Sequence, residues 1–314
     1  MGVRLVPLIA VVLSLLVVAG ATSCRRQDHP GKATQMAVVT TLFPLHDFTK
    51  NIVGGKASVT LLLPPGVEAH GFEPKAGNML SISKADLFIY TGAQMESWAE
   101  GVVRGAGNED LLVVDASKGV ILREGMVGHH DESHPGHGRT DPHIWLDLVN
   151  AEKMVDTILA ALAQRDPQND KTYAANAAAY KEKLRALDRA FKNTLQTCRK
   201  DTFIHGGHFA FGYLAARYGL HYISAYQGSP DAEPTPKRLI ELKKTMEEKG
   251  IRYVYYEELI TPRVAEILAR ETGAKLLKLH GAHNVTKQEF EGGISFLAIM
   301  EENLNNLKAG LECR

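Results

Sequence analysis

Residues 170–197 read DKTYAANAAAYKEKLRALDRAFKNTLQT, a stretch without glycine or proline and rich in alanine, lysine, leucine and asparagine. Alanine, leucine and lysine are strong helix formers. Leu184, Leu187, Phe191 and Leu195 recur at helical spacing, so one continuous helix with an apolar stripe is expected. At 1.5 Å per residue the 28 residues span roughly 42 Å. A rod of that length can run along two lobes and join them, and it resists hinge bending far more than a pair of extended strands would.

On either side of this rod, strand-like and helix-like patterns alternate. The N-terminal side offers strands at 38–42, 59–63, 87–90 and 111–114, with helices at 45–52, 74–84 and 96–104. The C-terminal side offers strands at 203–205, 222–226, 253–256 and 275–279, with helices at 210–218, 236–249 and 262–272. Gly250 and Gly273 stand just before strands, where glycines that end helices belong. This alternation predicts an α/β fold. Two lobes are expected, 36–166 and 199–314, each with a roughly four-stranded, mostly parallel sheet flanked by helices. A long rigid helix over 167–198 joins them. A terminal amphipathic helix is expected over 294–311, with Phe296, Leu297, Met300, Leu304 and Leu307 inward.

The N-terminus sets the compartment. Arg4 precedes an apolar run from Leu5 to Val18, broken only by Ser14, and small residues lead to Cys24. That is the pattern of an export signal peptide, assigned to 1–23. Its apolar core of about 15 residues falls short of the about 20 a bilayer span needs, which weighs against a retained anchor helix. Cleavage after Ala21 would free a soluble protein. Alternatively, Cys24 carries a lipid, although Ala21 stands where a lipobox usually has leucine. The chain has three cysteines, and with Cys24 lipid-modified or removed, Cys198 and Cys313 are left to pair. An oxidising compartment permits that disulfide; the alternative is two reduced, buried thiols. A formal net charge of zero and the lack of a basic stripe speak against nucleic acid as a partner.

Thirteen histidines stand out in 314 residues. His129, His130, His134 and His137 crowd into 128–139 among Gly, Ser and Pro, with no apolar period. The segment reads as a surface loop that is either an auxiliary, weak metal collector or a solvated spacer. Four others lie where open α/β sheets place ligands, past the carboxyl ends of strands. These are His70 in a Gly- and Pro-rich turn, His143 in Asp141-Pro142-His143-Ile144-Trp145-Leu146-Asp147, His208 ending Ile204-His205-Gly206-Gly207-His208, and His280 ending the last strand. Two come from each lobe, so a cation held by all four would lie between the lobes. Imidazole nitrogen suits tetrahedral Zn²⁺, whereas a Mn²⁺ site would carry more oxygen. A lone histidine in such a turn is more often a capping or solvent-facing residue, and position alone is a modest signal.

The local sequences add to it. Pro64-Pro65-Gly66 with His70-Gly71-Phe72-Glu73-Pro74, then Asp141 to Asp147, then His208-Phe209-Ala210-Phe211-Gly212-Tyr213-Leu214 with Tyr218-Gly219-Leu220 resemble three successive ligand motifs of one family. That family is the cluster A-I substrate-binding proteins of zinc and manganese ABC importers, and the resemblance runs from Thr40 to Leu311. It implies an extracytoplasmic monomer that captures Zn²⁺ through His70, His143 and His208 and hands it to an ABC permease. In the family a histidine at the third position goes with zinc members and a glutamate with manganese members. The match also prefers His208 to His205 and gives Asp231, Glu233 and Pro234 a lobe-packing role.

At the fourth position the chain departs from the family, which often has Asp there. Here it reads Leu279-His280-Gly281-Ala282-His283-Asn284, and aligning the strand end puts His280 in the Asp place. His283, Glu68 and a water are its rivals. His46 and His221 are read as structural, and Glu257 as a hydrogen-bonding partner at a strand end. A zinc hydrolase is the competing enzyme reading, but the chain has no His-Glu-x-x-His, no Gly-x-Ser-x-Gly and no Cys/His pairing, so no enzyme is expected. Cell adhesion, a role some relatives carry, is the minor alternative.

Overall fold

The computed structural model describes residues 35–125, 140–226 and 234–314. The export segment, Cys24, the loop histidines His129, His130, His134 and His137, and the pair Asp231 and Glu233 lie outside the described residues.

Two four-stranded sheets carry the fold. The first holds β1 (Met36–Thr40), β2 (Ala57–Leu61), β3 (Leu87–Tyr90) and β4 (Leu112–Asp115) in the order β2-β1-β3-β4. The second holds β5 (Thr202–His205), β6 (His221–Ser224), β7 (Tyr253–Tyr256) and β8 (Lys275–Lys278) in the order β6-β5-β7-β8. All the pairings are parallel, with Val38 opposite Val59 and Ile204 opposite Val254. Parallel strands are covered on both faces and read as unbroken apolar runs, as Leu87-Phe88-Ile89 does. Helices α1 (Phe43–Val53), α2 (Ala76–Ser83) and α3 (Ala99–Ala106) serve the first sheet. In both sheets the chain reverses its direction of progress beside the first strand, between β1 and β3 and between β5 and β7. Loops leaving the carboxyl ends at such a switch point diverge and open a crevice.

Between the sheets the chain forms two helices, α4 (Leu148–Arg165) and α5 (Asp170–Leu195). The second is the expected rod. The first adds to the expectation, which gave these residues no element. Asp147 caps α4 by accepting the N–H of Val149 at 2.9 Å. Leu148, Ala151, Met154, Val155, Ile158 and Leu162 form its buried stripe. A short turn makes α4 and α5 packed neighbours.

The second half adds α6 (Gly212–Tyr218), α7 (Pro236–Lys249), α8 (Arg263–Thr272), α9 (Lys287–Glu291) and α10 (Phe296–Gly310). Of these, α9 was not expected; Thr286 and Glu289 start it with a reciprocal capping box. The joint between the halves is therefore a bundle, with α1, α4 and α10 all packed on α5. Phe48 of α1 meets Tyr180 of α5 at 5.8 Å and Phe296 of α10 at 5.0 Å, ring to ring. One core joins Leu45 and Phe48 of the first half to Phe203, Tyr255 and Leu279 of the second. Arg217 of α6 donates to Asp188 of α5 at 2.6 and 2.8 Å and lies 3.2 Å from Asp147. Cys198, just past α5, is disulfide-bonded to Cys313, just past α10. Beside this bond Lys200 N–H donates to Leu311 O at 3.1 Å.

Candidate metal centre

After β2 the chain turns through Pro64-Pro65-Gly66, and residues of the second half hold the turn. Gly66, at φ +86°, donates its N–H to Val285 O at 2.8 Å. The Asn284 amide donates to Pro64 O at 2.7 Å and Val67 O at 2.9 Å. Glu68 then folds back so that its carboxylate accepts the N–H groups of His70 (2.9 Å) and Gly71 (2.8 Å). The His70 ring projects from this turn toward the second sheet.

His143 opens the short 3-10 turn Ile144–Leu146 that leads into α4. Asp141 Oδ1 accepts the His143 backbone N–H at 3.0 Å and lies 2.6 Å from ring Nδ1. With Asp141 ionised the carboxylate accepts, so Nδ1 carries the hydrogen and Nε2 points its lone pair inward. Trp145 walls the site, its ring edge-on to His143 and His283, while its Nε1–H donates to Gly281 O at 2.8 Å.

His208 follows β5 through Gly206 and Gly207. A side chain at Gly207 would collide with the Glu257 carboxylate and the His205 ring, so the close turn requires glycine there. Glu257, at the end of β7, accepts the His208 N–H at 3.1 Å and presents its other oxygen to ring Nδ1. Next to it, Glu258 Oε1 lies 3.3 Å from Nδ1 of His283. A carboxylate therefore backs the outer nitrogen of His143, His208 and His283. Partners of this kind orient a ligand imidazole and raise its basicity.

The inner nitrogens converge. His143 Nε2 lies 3.2 Å from His70 Nε2 and 3.3 Å from His208 Nε2. One ring nitrogen from each of His70, His143, His208 and His283 falls within 4.8 Å of all the others. A tetrahedral Zn²⁺ with Zn–N of about 2.0–2.1 Å needs nitrogens about 3.3–3.4 Å apart, which the two closest separations match. His283 Nε2 is buried with no hydrogen-bond partner among the described residues, a vacancy in bonding that a cation would fill.

Burial takes His70 down to about 2, and the neighbouring His283 and His208 add to the effect. His143 is held well below the ordinary range by burial and then by the other three rings. Both are neutral, as ligands must be. Burial pushes His208 down as well, but Glu257, then Glu258 and Glu68, outweigh it and raise its pKa. Burial works against ionisation of Glu257 and Glu258, yet His208 for the one and His280 with His283 for the other hold both below the usual carboxylate range. Asp141 is pushed up to about 7 by burial, against the hydrogen bond from His143.

The structure places the expected fourth residue elsewhere. His280 lies outside the cluster: Asn303 accepts its N–H at 2.7 Å and donates to its carbonyl at 2.8 Å, and its Nδ1 accepts the Ala282 N–H at 2.9 Å. Strand β8 ends at Lys278, and the turn beyond, with Ala282 at φ +57°, brings His283 rather than His280 round to the other rings. Glu68 spends its oxygens on backbone N–H groups. His205 is buried against Phe211 and lowered to about 4 by burial. His46 packs on Phe290 and is lowered to about 4 chiefly by burial. His221 is exposed, 3.7 Å from Asp201. The roles of Asp141 and Glu258 were not read from the sequence, although Asp141 stands two residues before His143 and Glu258 follows a strand of the site.

The family model for zinc-uptake complex component A, periplasmic, matches residues 38–310. The chain belongs to this family. Among its relatives is the high-affinity zinc uptake system protein ZnuA of Bacillus subtilis, 38% identical over 301 residues, 95% of this chain and 94% of that protein. The zinc-binding lipoprotein AdcA of Streptococcus pneumoniae is 35% identical over 305 residues, 96% of this chain but 60% of AdcA. A crystal structure of the Zn(II)-bound ZnuA-like domain of that AdcA superposes with a TM-score of 0.75 at 33% identity, covering 88% of this chain and 99% of the domain. The component A family consists of solute-binding proteins, so the chain is not an enzyme. It acts outside the cytoplasm, in the periplasm or anchored by lipid.

Proposed function

We propose that this component A protein captures Zn²⁺ between its two sheets, through His70, His143, His208 and His283, and delivers it to the membrane permease of an ABC importer. The convergence of these four imidazoles within 4.8 Å carries the reading. All four inward atoms are nitrogen, and the nearby carboxylates back the outer ring atoms. That donor set favours Zn²⁺ over Mn²⁺, while Cu²⁺ and Ni²⁺ would compete in vitro. A full set of four protein ligands leaves no open coordination position, which suits holding an ion rather than activating water on it. In the same reading Cys24 carries the lipid, the protein acts as a monomer, and His129, His130, His134 and His137 are an auxiliary, weak collector of zinc. Competition of purified protein with a zinc chelator tests the centre. His208→Ala is expected to weaken Zn²⁺ binding more than about tenfold by removing one inner nitrogen. An affinity equal to that of the wild type would sink the assignment.

A further inference from the structure

Two histidines three residues apart compete for one place in the cage, and one carboxylate stands between them. Glu258 Oε1 lies 3.3 Å from Nδ1 of His283, and Glu258 Oε2 lies 3.4 Å from Nδ1 of His280 while accepting the Gly281 N–H at 2.7 Å. The two rings differ in what else they meet. His280 Nδ1 already accepts the Ala282 N–H at 2.9 Å, so it carries no hydrogen, and the ring hydrogen sits on Nε2. A ring nitrogen bearing hydrogen cannot ligate. Among the described residues His283 Nδ1 faces the carboxylate acceptor alone, so it carries the hydrogen and leaves Nε2 as a bare lone pair. Nε2 is buried without a hydrogen-bond partner among the described residues in both rings, but only that of His283 belongs to a ring in the four-histidine cluster.

From this geometry we infer that Glu258 is the positioning residue that makes His283, and not His280, the fourth zinc ligand. It does so by fixing the His283 tautomer and by pinning the turn between the two rings through Gly281. The backbone shows how firmly that turn is set. Leu259 at φ +62° and Ala282 at φ +57° adopt left-handed conformations on either side of the Glu258–Gly281 hydrogen bond. Side chains pay for that conformation, and it persists only where surrounding contacts over-determine it. Gly281 cannot be replaced without loss, because a side chain there would run into the His283 ring. The Glu258 side chain is only 6% exposed, and its polar contacts among the described residues are the two rings and one N–H.

The inference rests on the zinc-binding reading above, and the test separates the two. Mature protein would be titrated with Zn²⁺ against a chelator and with Co²⁺, whose visible absorption reports a tetrahedral four-nitrogen site. A wild-type protein that binds neither ion overturns the zinc reading itself. Given binding by the wild type, Glu258→Gln is expected to weaken Zn²⁺ about tenfold, since one amide oxygen cannot serve both Gly281 and His283, and Glu258→Ala by about a hundredfold. Both should lower the Co²⁺ absorption, with Gln closer to the wild type, which a general loss of stability would not produce. The near-isosteric Gln variant keeps the test valid if the Ala variant does not fold. His283→Gln should lose the tetrahedral spectrum, and His280→Gln should keep it. Wild-type affinity and spectrum in Glu258→Gln, or loss of the spectrum in His280→Gln but not in His283→Gln, would overturn the inference.

Discussion

Replacing both Cys198 and Cys313 by serine should cost the protein a large part of its stability and none of its zinc affinity. The bond spans 115 residues of sequence, so it closes a loop that contains the whole second sheet. For a loop of that length the chain-entropy relation gives about 16 cal/mol/K, or about 4.8 kcal/mol at 25 °C, taken from the unfolded state. The folded ends stay together without the bond. Lys200 N–H still reaches Leu311 O at 3.1 Å, Cys313 N–H reaches Lys308 O at 3.0 Å, and Arg314 N–H reaches Thr197 Oγ1 at 3.2 Å. Residual structure in the unfolded chain trims the figure, and a loss of about 3–5 kcal/mol is expected. Urea unfolding of metal-free protein would show a lower midpoint and a steeper slope, because the uncrosslinked chain exposes more surface. A loss under about 1 kcal/mol would refute the entropic account. A drop in zinc affinity in the double variant would show that the staple shapes the site, contrary to the placement of both cysteines past the far ends of α5 and α10.

Two other outcomes can be checked. His46 and His205 are lowered to about 4 by burial, so the folded state prefers them neutral. Their contribution is complete above the unfolded value near about 6.5 and is lost as pH falls through about 4, at up to about 3 kcal/mol each. Urea midpoints of metal-free protein that stay constant from pH 7 to pH 4 would contradict this. Small-angle scattering should show metal-free and zinc-loaded protein differing by less than about 1 Å in radius of gyration. The halves share a core and are latched by Asn284, Gly66 and Trp145, so a fall of several Å on adding zinc would mean the latch opens.

Much of the fold was legible because buried parallel strands and amphipathic helices write their periods locally. Helix α7 begins and ends where the sequence reading put it, since Thr235 caps it, Pro236 starts it and Gly250 terminates it in a left-handed conformation. Helix α4 went unread even though Leu148, Ala151, Met154, Ile158 and Leu162 carry a plain helical stripe; it follows directly on the His143 motif, which was read for chemistry alone. What α5 packs against could not be read, because periodicity reports a buried face and not its partner. At the site, strand ends pointed to His70, His143 and His208, which the structure does bring together. Which histidine joins them turns on a hydrogen bond from Ala282, a clamp from Asn303 and a carboxylate just past a different strand. The last two are long-range contacts, so alignment of the strand end selected His280.

The outward-turned carboxylates have a consequence for where such a protein can work. Asp141 Oδ1 and the carboxylates of Glu257 and Glu258 lie within a ring's width of the centre, yet these oxygens face imidazole and backbone N–H groups. Calcium and magnesium prefer six or more oxygen donors and give up water reluctantly. A cage offering them nitrogen alone returns little for the water they would lose. Negative charge still reaches the ion through the rings, so a borderline-soft divalent cation keeps its electrostatic reward. The pocket thus screens out the hard cations of the surrounding medium by donor chemistry, and it needs no narrow aperture to do so.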